Sequence, residues 1–273
     1  MSLIKDKILY PLKDTPIDKS SLPKFEGNFG EEIIKGFSKI IEKDGDFDWL
    51  INGPYDLTNK TSTCGLKKRK ASELEPEAKK VAAAFYTNGL RKGDVVHFLI
   101  PNSTENHIIA VGAWLCEAIV SLVDPETSVK VLTTQVQDTK AKMIICSNHS
   151  RKVVFETLKS LNLLGKVKVI VLGLAQPKPD QDIPIDVDEK NFVFYQDFLK
   201  SDGQIQPPSL QNGPLKDEEV FIIFWSSGTT GNPKGKNILS EEWVAFRHFM
   251  RATCLNNMAI WVVEISNGGE VQN

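Results

Sequence analysis

Residues 220–235 read VFIIFWSSGTTGNPKG, an apolar run that leads directly into a loop of small polar residues. The run 220–225 is rich in β-branched and aromatic residues and carries no charge, which predicts a strand buried on both faces of a parallel sheet. The next ten residues hold three glycines, four hydroxyl side chains and a lysine. Glycines let the backbone turn so that successive N–H groups point at one anion, and the hydroxyls add further donors. Because Lys234 adds a compact positive charge, the stretch predicts a polyphosphate site.

Two other kinds of loop share part of this composition. A flexible polar turn would also be rich in Gly, Ser and Thr, but the buried strand directly before the loop favours anion binding. A Walker A loop, G-x-x-x-x-G-K-[ST], is suggested by Gly235 and Lys236. It fails at both ends, because Thr230 stands where its first glycine belongs and Asn237 where its hydroxyl belongs. The sequence therefore predicts phosphate binding without a Walker A loop.

Strands and helices alternate upstream of this stretch. Short apolar runs predict strands, and apolar residues three or four positions apart predict helices. The predicted strands span 95–100, 118–123, 142–146 and 167–172, and the helices between them span 103–117, 127–138 and 149–163. Earlier helices are predicted at 31–43 and from Ser72 to Gly89, a strand with a short helix at 192–199, and surface connections at 176–187 and 204–214. We therefore expect an α/β fold with a mostly parallel sheet flanked by helices.

Composition and charge exclude several classes of protein. The chain has 273 residues, 41% of them hydrophobic, and a net charge of −2, so it is not a disordered chain and nothing predicts nucleic acid as a partner. The N-terminus lacks the apolar core of a signal peptide, and the C-terminus is not a peroxisomal S-K-L signal. The apolar stretch 108–123 is interrupted by Glu117 and is shorter than the roughly 18 residues of a membrane span. We therefore expect a cytoplasmic protein without a membrane span.

Metal and thiol chemistry are not predicted. The four cysteines and four histidines are widely spaced and form no C-x-x-C pair. We expect free thiols and no metal site. The basic run 67–70 has the composition of a nuclear-import signal, but four charges beside turn residues more often form an exposed loop, which is our prediction.

Several segments together resemble one enzyme family. The run FWSSGTTGNPKG at 224–235 resembles the phosphate-binding signature of the adenylate-forming, or AMP-binding, superfamily of acyl-CoA synthetases, coumarate-CoA ligases and luciferase-like enzymes. Upstream segments resemble that family in order and spacing: 89–96 (GLRKGDVV), 101–103 with Glu105, Gly112-Ala113 and Asp124-Pro125. The resemblance runs from about residue 31 to about residue 240. It implies the N-terminal part of the large domain of an adenylate-forming enzyme.

The resemblance implies a two-step reaction. A carboxylate attacks the α-phosphorus of ATP to give an acyl-adenylate and pyrophosphate, and the thiol of coenzyme A then takes the acyl group. The implied cofactors are ATP, Mg²⁺ and coenzyme A, and the implied substrate is an aromatic or fatty carboxylic acid. The family contacts the ATP phosphates with the loop that matches Ser226, Ser227, Gly228, Thr229, Thr230, Gly231 and Lys234. Their implied role is electrostatic, and no catalytic residue or metal ligand is assigned.

The chain also departs from the family pattern. Lys236 and Glu241 stand where the family usually has an apolar residue and a histidine. Cys116-Glu117 occupies a turn where small residues, often Gly, are preferred, so we expect that turn to be either strained or differently built. The family's adenine and ribose segments and its C-terminal lysine have no match in the sequence. We therefore expect residues 1–273 to form an incomplete N-terminal AMP-binding domain, family-like over about 31–240, with an atypical tail at 241–273 and no C-terminal lid domain.

Two functions follow from this expectation. The first is a truncated acid–thiol ligase, and the second is a non-catalytic relative or short isoform that acts as a binding or interaction module. In either case, a strand at 220–225 without its later neighbours would leave apolar surface uncovered, so we expect self-association.

We expect the 273-residue chain alone to form no acyl-adenylate at a useful rate, because its sequence lacks the adenine and ribose segments of the family. Pyrophosphate release from ATP, with a panel of aromatic and fatty acids, measures this. Robust turnover would mean that these residues already contain a complete adenylation site.

Overall fold

The structure is a computed structural model of the chain. It describes residues 28–52, 55–56, 61–62, 67–101, 103–172, 192–200, 219–226 and 234–239. The predicted connections at 176–187 and 204–214 and the tail at 241–273 lie outside the described residues.

The helices follow the predicted order, and their ends are fixed by local polar contacts. The α-helices are α1 (Phe29–Asp44), α2 (Leu74–Thr87), α3 (Thr104–Leu115), α4 (Val129–Thr139), α5 (Arg151–Ser160) and α6 (Tyr195–Lys200). Side-chain oxygens of Asn28, Ser103 and Ser128 accept hydrogen bonds from backbone N–H groups in the first turns of α1, α3 and α4. Such N-caps satisfy donors that a helix cannot pair internally. Gly89, with φ of 88°, follows α2 as predicted.

The strands form one large sheet and two small ones in the described ranges. They are β1 (Asp48–Asn52), β2 (Tyr55–Asp56), β3 (Thr61–Ser62), β4 (Lys67–Lys70), β5 (Val95–Leu99), β6 (Ile119–Leu122), β7 (Met143–Ser147), β8 (Lys168–Leu172), β9 (Phe192–Phe194), β10 (Val220–Ser226) and β11 (Lys234–Leu239). The large sheet has the order β11-β10-β6-β5-β7-β8-β9. Its strands are parallel except for the antiparallel pair β10 and β11. The predicted α/β fold is confirmed.

Both faces of the large sheet are covered by helices. Val96 and Phe98 of β5 pack into a core with residues of α1, α2, α3 and α6, whereas Leu99 packs into a second core with residues of α4 and α5. Side chains alternate between the faces of a strand, so a strand covered on both sides must be apolar at successive positions. This is why the strands appear in the sequence as short continuous apolar runs.

The basic run 67–70 is not the exposed loop that we predicted. It forms β4, which pairs antiparallel with β1, and two of its charges are matched by carboxylates. Arg69 lies 2.7 Å from Glu77, and Lys70 lies 2.9 Å from Asp48. A sequence pattern of like charges did not reveal these partners, which are contributed by other elements.

Strand β10 also differs from its prediction. Its apolar run predicts burial on both faces, but Phe224 is 37% exposed. The antiparallel strand β11, which pairs with β10, was not predicted at all.

The turn between α3 and β6 shows the expected strain. Glu117 has φ of 56°, a left-handed conformation that is uncommon for residues other than glycine. Its carboxylate lies 3.2 Å from the ammonium group of Lys92, which also lies 2.9 Å from a carboxylate oxygen of Glu219. Lys92 therefore connects the start of β10 with the turn that precedes β6.

We predict that Gly112→Ala lowers the free energy of unfolding by about 1–3 kcal/mol, because it overpacks the contact between α2 and α3. A Cβ at this position would lie 2.6 Å from Cγ1 of Val81. This penalty should exceed the gain of about 1 kcal/mol in helix propensity. Urea denaturation measures the change. The double variant Gly112→Ala with Val81→Ala should lose less free energy of unfolding than the sum of the losses in the two single variants. A Gly112→Ala variant with the same free energy of unfolding as the parent would contradict the close contact.

Candidate functional site

The parallel strands end together at one edge of the sheet. Strands β5, β6, β7 and β10 run in the same direction, so Leu99, Leu122, Ser147 and Ser226 all lie at their carboxyl edge. The chain passes from β5 to β6 on one side and then returns across β5 to β7 on the other. Ligands of open α/β sheets bind in the crevice beside such a reversal of strand order. The carboxyl edge is therefore where a site is expected on topological grounds.

A buried hydroxyl group joins two strands at this edge. Ser150 donates a hydrogen bond of 2.8 Å from Oγ to the carbonyl oxygen of Leu99, and the N–H of Ser147 donates to the same Oγ at 3.1 Å. The nearby pair Glu126 and His149 is 3.1 Å apart and exposed, so it contributes little to stability. The ends of β5 and β7 are therefore fixed to each other where the strand order reverses.

The hairpin of β10 and β11 carries the ends of the predicted phosphate loop to the same edge. Ser226 is the last residue of β10, and it pairs with Lys234, the first residue of β11. Lys234 is exposed. The other predicted site residues, Ser227, Gly228, Thr229, Thr230 and Gly231, lie outside the described residues. Of the seven, the structure thus brings together Ser226 and Lys234, at the mouth of the loop.

Trp225 connects the mouth of the loop to the body of the sheet. Its indole N–H donates a hydrogen bond of 2.9 Å to Oγ of Ser121 in β6. Gly235 pairs with Trp225 across the hairpin, and a Cβ on Gly235 would lie 3.1 Å from Cζ3 of the indole ring. Both strands of the hairpin therefore meet at the indole ring of Trp225.

His97, in β5, is a buried neutral side chain close to Trp225. Its Nε2 lies 2.8 Å from Oγ1 of Thr139, whose hydroxyl donates to the carbonyl oxygen of Gln135, so Nε2 must carry the hydrogen. Nδ1 is buried and has no hydrogen-bond partner among the residues that the structure describes. Burial lowers the pKa of His97 to about 4, and a backbone hydrogen bond at Gln135 acts in the opposite direction. The imidazole is therefore neutral near pH 7, and its ring centroid lies 6.5 Å from that of Trp225.

The described residues contain little other reactive chemistry. Burial raises the pKa of Cys116 and of Cys146 to about 12, so these free thiols are inert, as expected of structural cysteines. Within the same residues, no three His, Cys, Asp or Glu side chains are grouped closely enough to hold a metal ion. No helix in the described part of the chain is both long and apolar enough to cross a membrane.

The fold and the hairpin define a class of protein: an α/β protein whose mostly parallel sheet carries, at its carboxyl edge, the two ends of a glycine- and hydroxyl-rich segment of sequence. The family model described as AMP-binding enzyme matches residues 65–262 of the chain. The chain belongs to the AMP-binding enzyme family. The resemblance seen in the sequence is therefore confirmed.

Curated proteins named as acyl-CoA synthetases or 4-coumarate–CoA ligases match about three quarters of this chain. Acyl-CoA synthetase 7 of Caenorhabditis elegans is 31% identical over 207 residues, which are 75% of this chain and 33% of that protein. 4-Coumarate–CoA ligase 1 of Petroselinum crispum is 29% identical over 71% of this chain and 30% of its own length. The human mitochondrial acyl-coenzyme A synthetase ACSM6 is 26% identical over 76% of this chain and 38% of its own length. The chain thus spans about a third of the length of these relatives.

Solved structures share the fold. A luciferase-like enzyme from the mealworm Zophobas morio matches with a TM-score of 0.56 and 20% identity, over 81% of this chain and 44% of that one. The N-terminal domain of FACL13 from Mycobacterium tuberculosis matches with a TM-score of 0.52 and 17% identity, over 78% of this chain and 44% of that one. The fold is therefore that of the N-terminal portion of adenylate-forming enzymes.

We predict that His97 makes the protein less stable in acid. Its folded-state pKa of about 4 is below the ordinary value of 6.5, so the unfolded chain binds a proton that the folded chain does not between these values. Stability is therefore lost as the pH falls from about 6.5 to about 4, by up to roughly 3 kcal/mol. Chemical denaturation between pH 7.5 and pH 4 measures this loss for the parent and for His97→Leu.

The His97→Leu variant should lose less stability than the parent over this range. His149→Gln, which alters an exposed histidine, is the matched control and should follow the parent. Parallel curves for the parent and His97→Leu would contradict the buried neutral imidazole.

Proposed function

We propose that this chain supplies the ATP-phosphate-binding part of an acid–thiol ligase. The reaction joins a carboxylate to AMP with release of pyrophosphate, and then transfers the acyl group to the thiol of coenzyme A. The observation that carries the proposal is membership of the AMP-binding enzyme family. The names of the relatives, which are acyl-CoA synthetases and coumarate–CoA ligases, support the same reaction class.

The proposed role of the loop is to stabilise negative charge. As the bond to the α-phosphorus breaks, charge moves onto pyrophosphate, and fixed donors aimed at those oxygens lower the barrier. Lys234 is exposed at the mouth of the loop, at the carboxyl edge where the topology expects a ligand. The hydroxyls and N–H groups of residues 226–231 would donate further hydrogen bonds to the phosphate oxygens. No general base or nucleophile is assigned to these residues.

The remaining ligands are proposed at the level of chemical class. The substrate is a carboxylic acid, aromatic or fatty, and the acceptor is coenzyme A. Mg²⁺ would arrive with the ATP phosphates, because the described residues offer no cluster of metal-binding side chains. We place the protein in the cytoplasm and assign residues 1–273 to the N-terminal part of an AMP-binding domain. Pyrophosphate release from ATP with a panel of aromatic and fatty acids, using the gene product at its native length, tests the reaction.

We predict that Lys234→Ala weakens the binding of inorganic pyrophosphate by about ten- to a hundredfold, the loss of one charge-assisted hydrogen bond to phosphate. Isothermal titration calorimetry with the 273-residue chain measures the dissociation constant. Lys236→Ala removes the same charge two residues further along β11 and is the matched control.

The control should bind pyrophosphate nearly as well as the parent. Equal weakening in both variants would indicate nonspecific attraction and leave Lys234 without a specific role. A parent chain that binds neither pyrophosphate nor ATP would contradict the phosphate site itself and favour a non-catalytic interaction module.

A further inference from the structure

Ser121 is a polar interruption of an apolar strand. It lies in β6, between Val120 and Leu122, and it is fully buried. A buried hydroxyl lowers stability unless it has a hydrogen-bond partner. That partner is the indole N–H of Trp225, at 2.9 Å, on the neighbouring strand β10.

This hydrogen bond adds a directional contact to a ring that is only partly enclosed by packing. Trp225 is half-buried, and one part of its side chain lines an open groove of about 280 Å³ between the end of α4 and the hairpin. On that side packing restrains the ring less than on the side that faces the core, and the hydrogen bond to Ser121 ties the orientation of the ring to the parallel sheet.

The second strand of the hairpin rests on the same ring. A Cβ added to Gly235 would lie 3.1 Å from Cζ3 and 3.2 Å from Cη2 of Trp225. The backbone of Gly235 therefore lies directly beside the indole ring. Lys234 is the next residue toward the loop, and it pairs with Ser226, which follows Trp225. A change in the orientation of the indole would therefore displace the backbone that carries Lys234.

We propose that Ser121 and Trp225 form a positioning pair for the phosphate loop. The hydrogen bond between them sets the orientation of the indole, and the indole in turn sets the mouth of the loop and the place from which Lys234 reaches a phosphate. Neither residue touches the substrate. The inference rests on the proposed phosphate-binding function and goes beyond it, because it gives a role to two residues outside the loop.

The test is a double-mutant cycle on the binding of inorganic pyrophosphate to the 273-residue chain. Ser121→Ala removes the acceptor, and Trp225→Phe removes the donor but keeps an aromatic ring. Each single variant should raise the dissociation constant for pyrophosphate about fivefold, which is the effect of losing one neutral hydrogen bond. The double variant should have about the same dissociation constant as either single variant, because both substitutions remove the same hydrogen bond. Calorimetry under conditions where every variant is folded gives the constants.

A matched control separates positioning from simple stabilisation. The indole N–H of Trp114 donates a hydrogen bond of the same length, 2.9 Å, to the backbone carbonyl oxygen of Phe221, at the opposite end of β10. Trp114→Phe should lower the free energy of unfolding but leave the dissociation constant for pyrophosphate unchanged. With ¹⁵N-labelled tryptophan, the indole N–H resonance of Trp225 should shift in Ser121→Ala and stay in place in Trp114→Phe.

The outcomes distinguish the inference from the function on which it rests. If the parent binds pyrophosphate and both cycle variants bind it equally well, the positioning role is wrong and the phosphate site remains. If Trp114→Phe weakens binding as much as Ser121→Ala, the effect is general destabilisation and the positioning role is also wrong. If the parent binds neither pyrophosphate nor ATP, the proposed function fails and the inference fails with it.

Discussion

The parallel pairing of β10 with β6 determines where the candidate site lies. It aligns Ile222 with Val120 and Phe224 with Leu122, although these strands are far apart in the sequence. A shift of one residue would turn every side chain of β10 to the opposite face. At the start of the strand, Lys92 restrains this register through its contacts with Glu117 and Glu219. The pairing therefore brings the ends of the predicted phosphate loop to the edge where β5, β6 and β7 end.

The two faces of the sheet are built differently near the hairpin. On one face Phe221 packs against the rings of Phe29 and Trp114, in a layer of apolar and aromatic side chains. On the other face the fully buried polar groups of His97 and Ser121 lie on neighbouring strands, paired in register. Among the described residues Nδ1 of His97 has no hydrogen-bond partner, and a buried nitrogen of this kind lowers stability. The polar face is the one on which Trp225 rests.

Local pattern predicted the helices and strands of residues 95–172, because each of these elements repeats its apolar residues with a clear period. The same pattern did not predict elements whose position depends on residues far away in the sequence. The basic strand β4 owes its place to Asp48 and Glu77, and β11 exists as the partner of β10. For the candidate site, the motif predicts a phosphate loop, and the structure brings the two ends of that segment together at Ser226 and Lys234, whereas residues 227–233 lie outside the described residues. Ser121 carried no signal, because its partner Trp225 is 104 positions away.

The charge of the chain explains why the geometry of the hairpin matters. A net charge of −2 provides no general attraction for a polyphosphate, so any attraction must come from nearby groups. At physiological ionic strength, exposed charges are screened beyond about 8 Å. The ammonium group of Lys234 can therefore stabilise a phosphate only at short range, and a displacement of its backbone by an ångström or two changes that contact directly. The residue beside it, Gly235, lies against Trp225. If Lys234 binds phosphate as proposed, this short range means that the contacts holding the mouth of the hairpin in place would contribute to binding together with the charge.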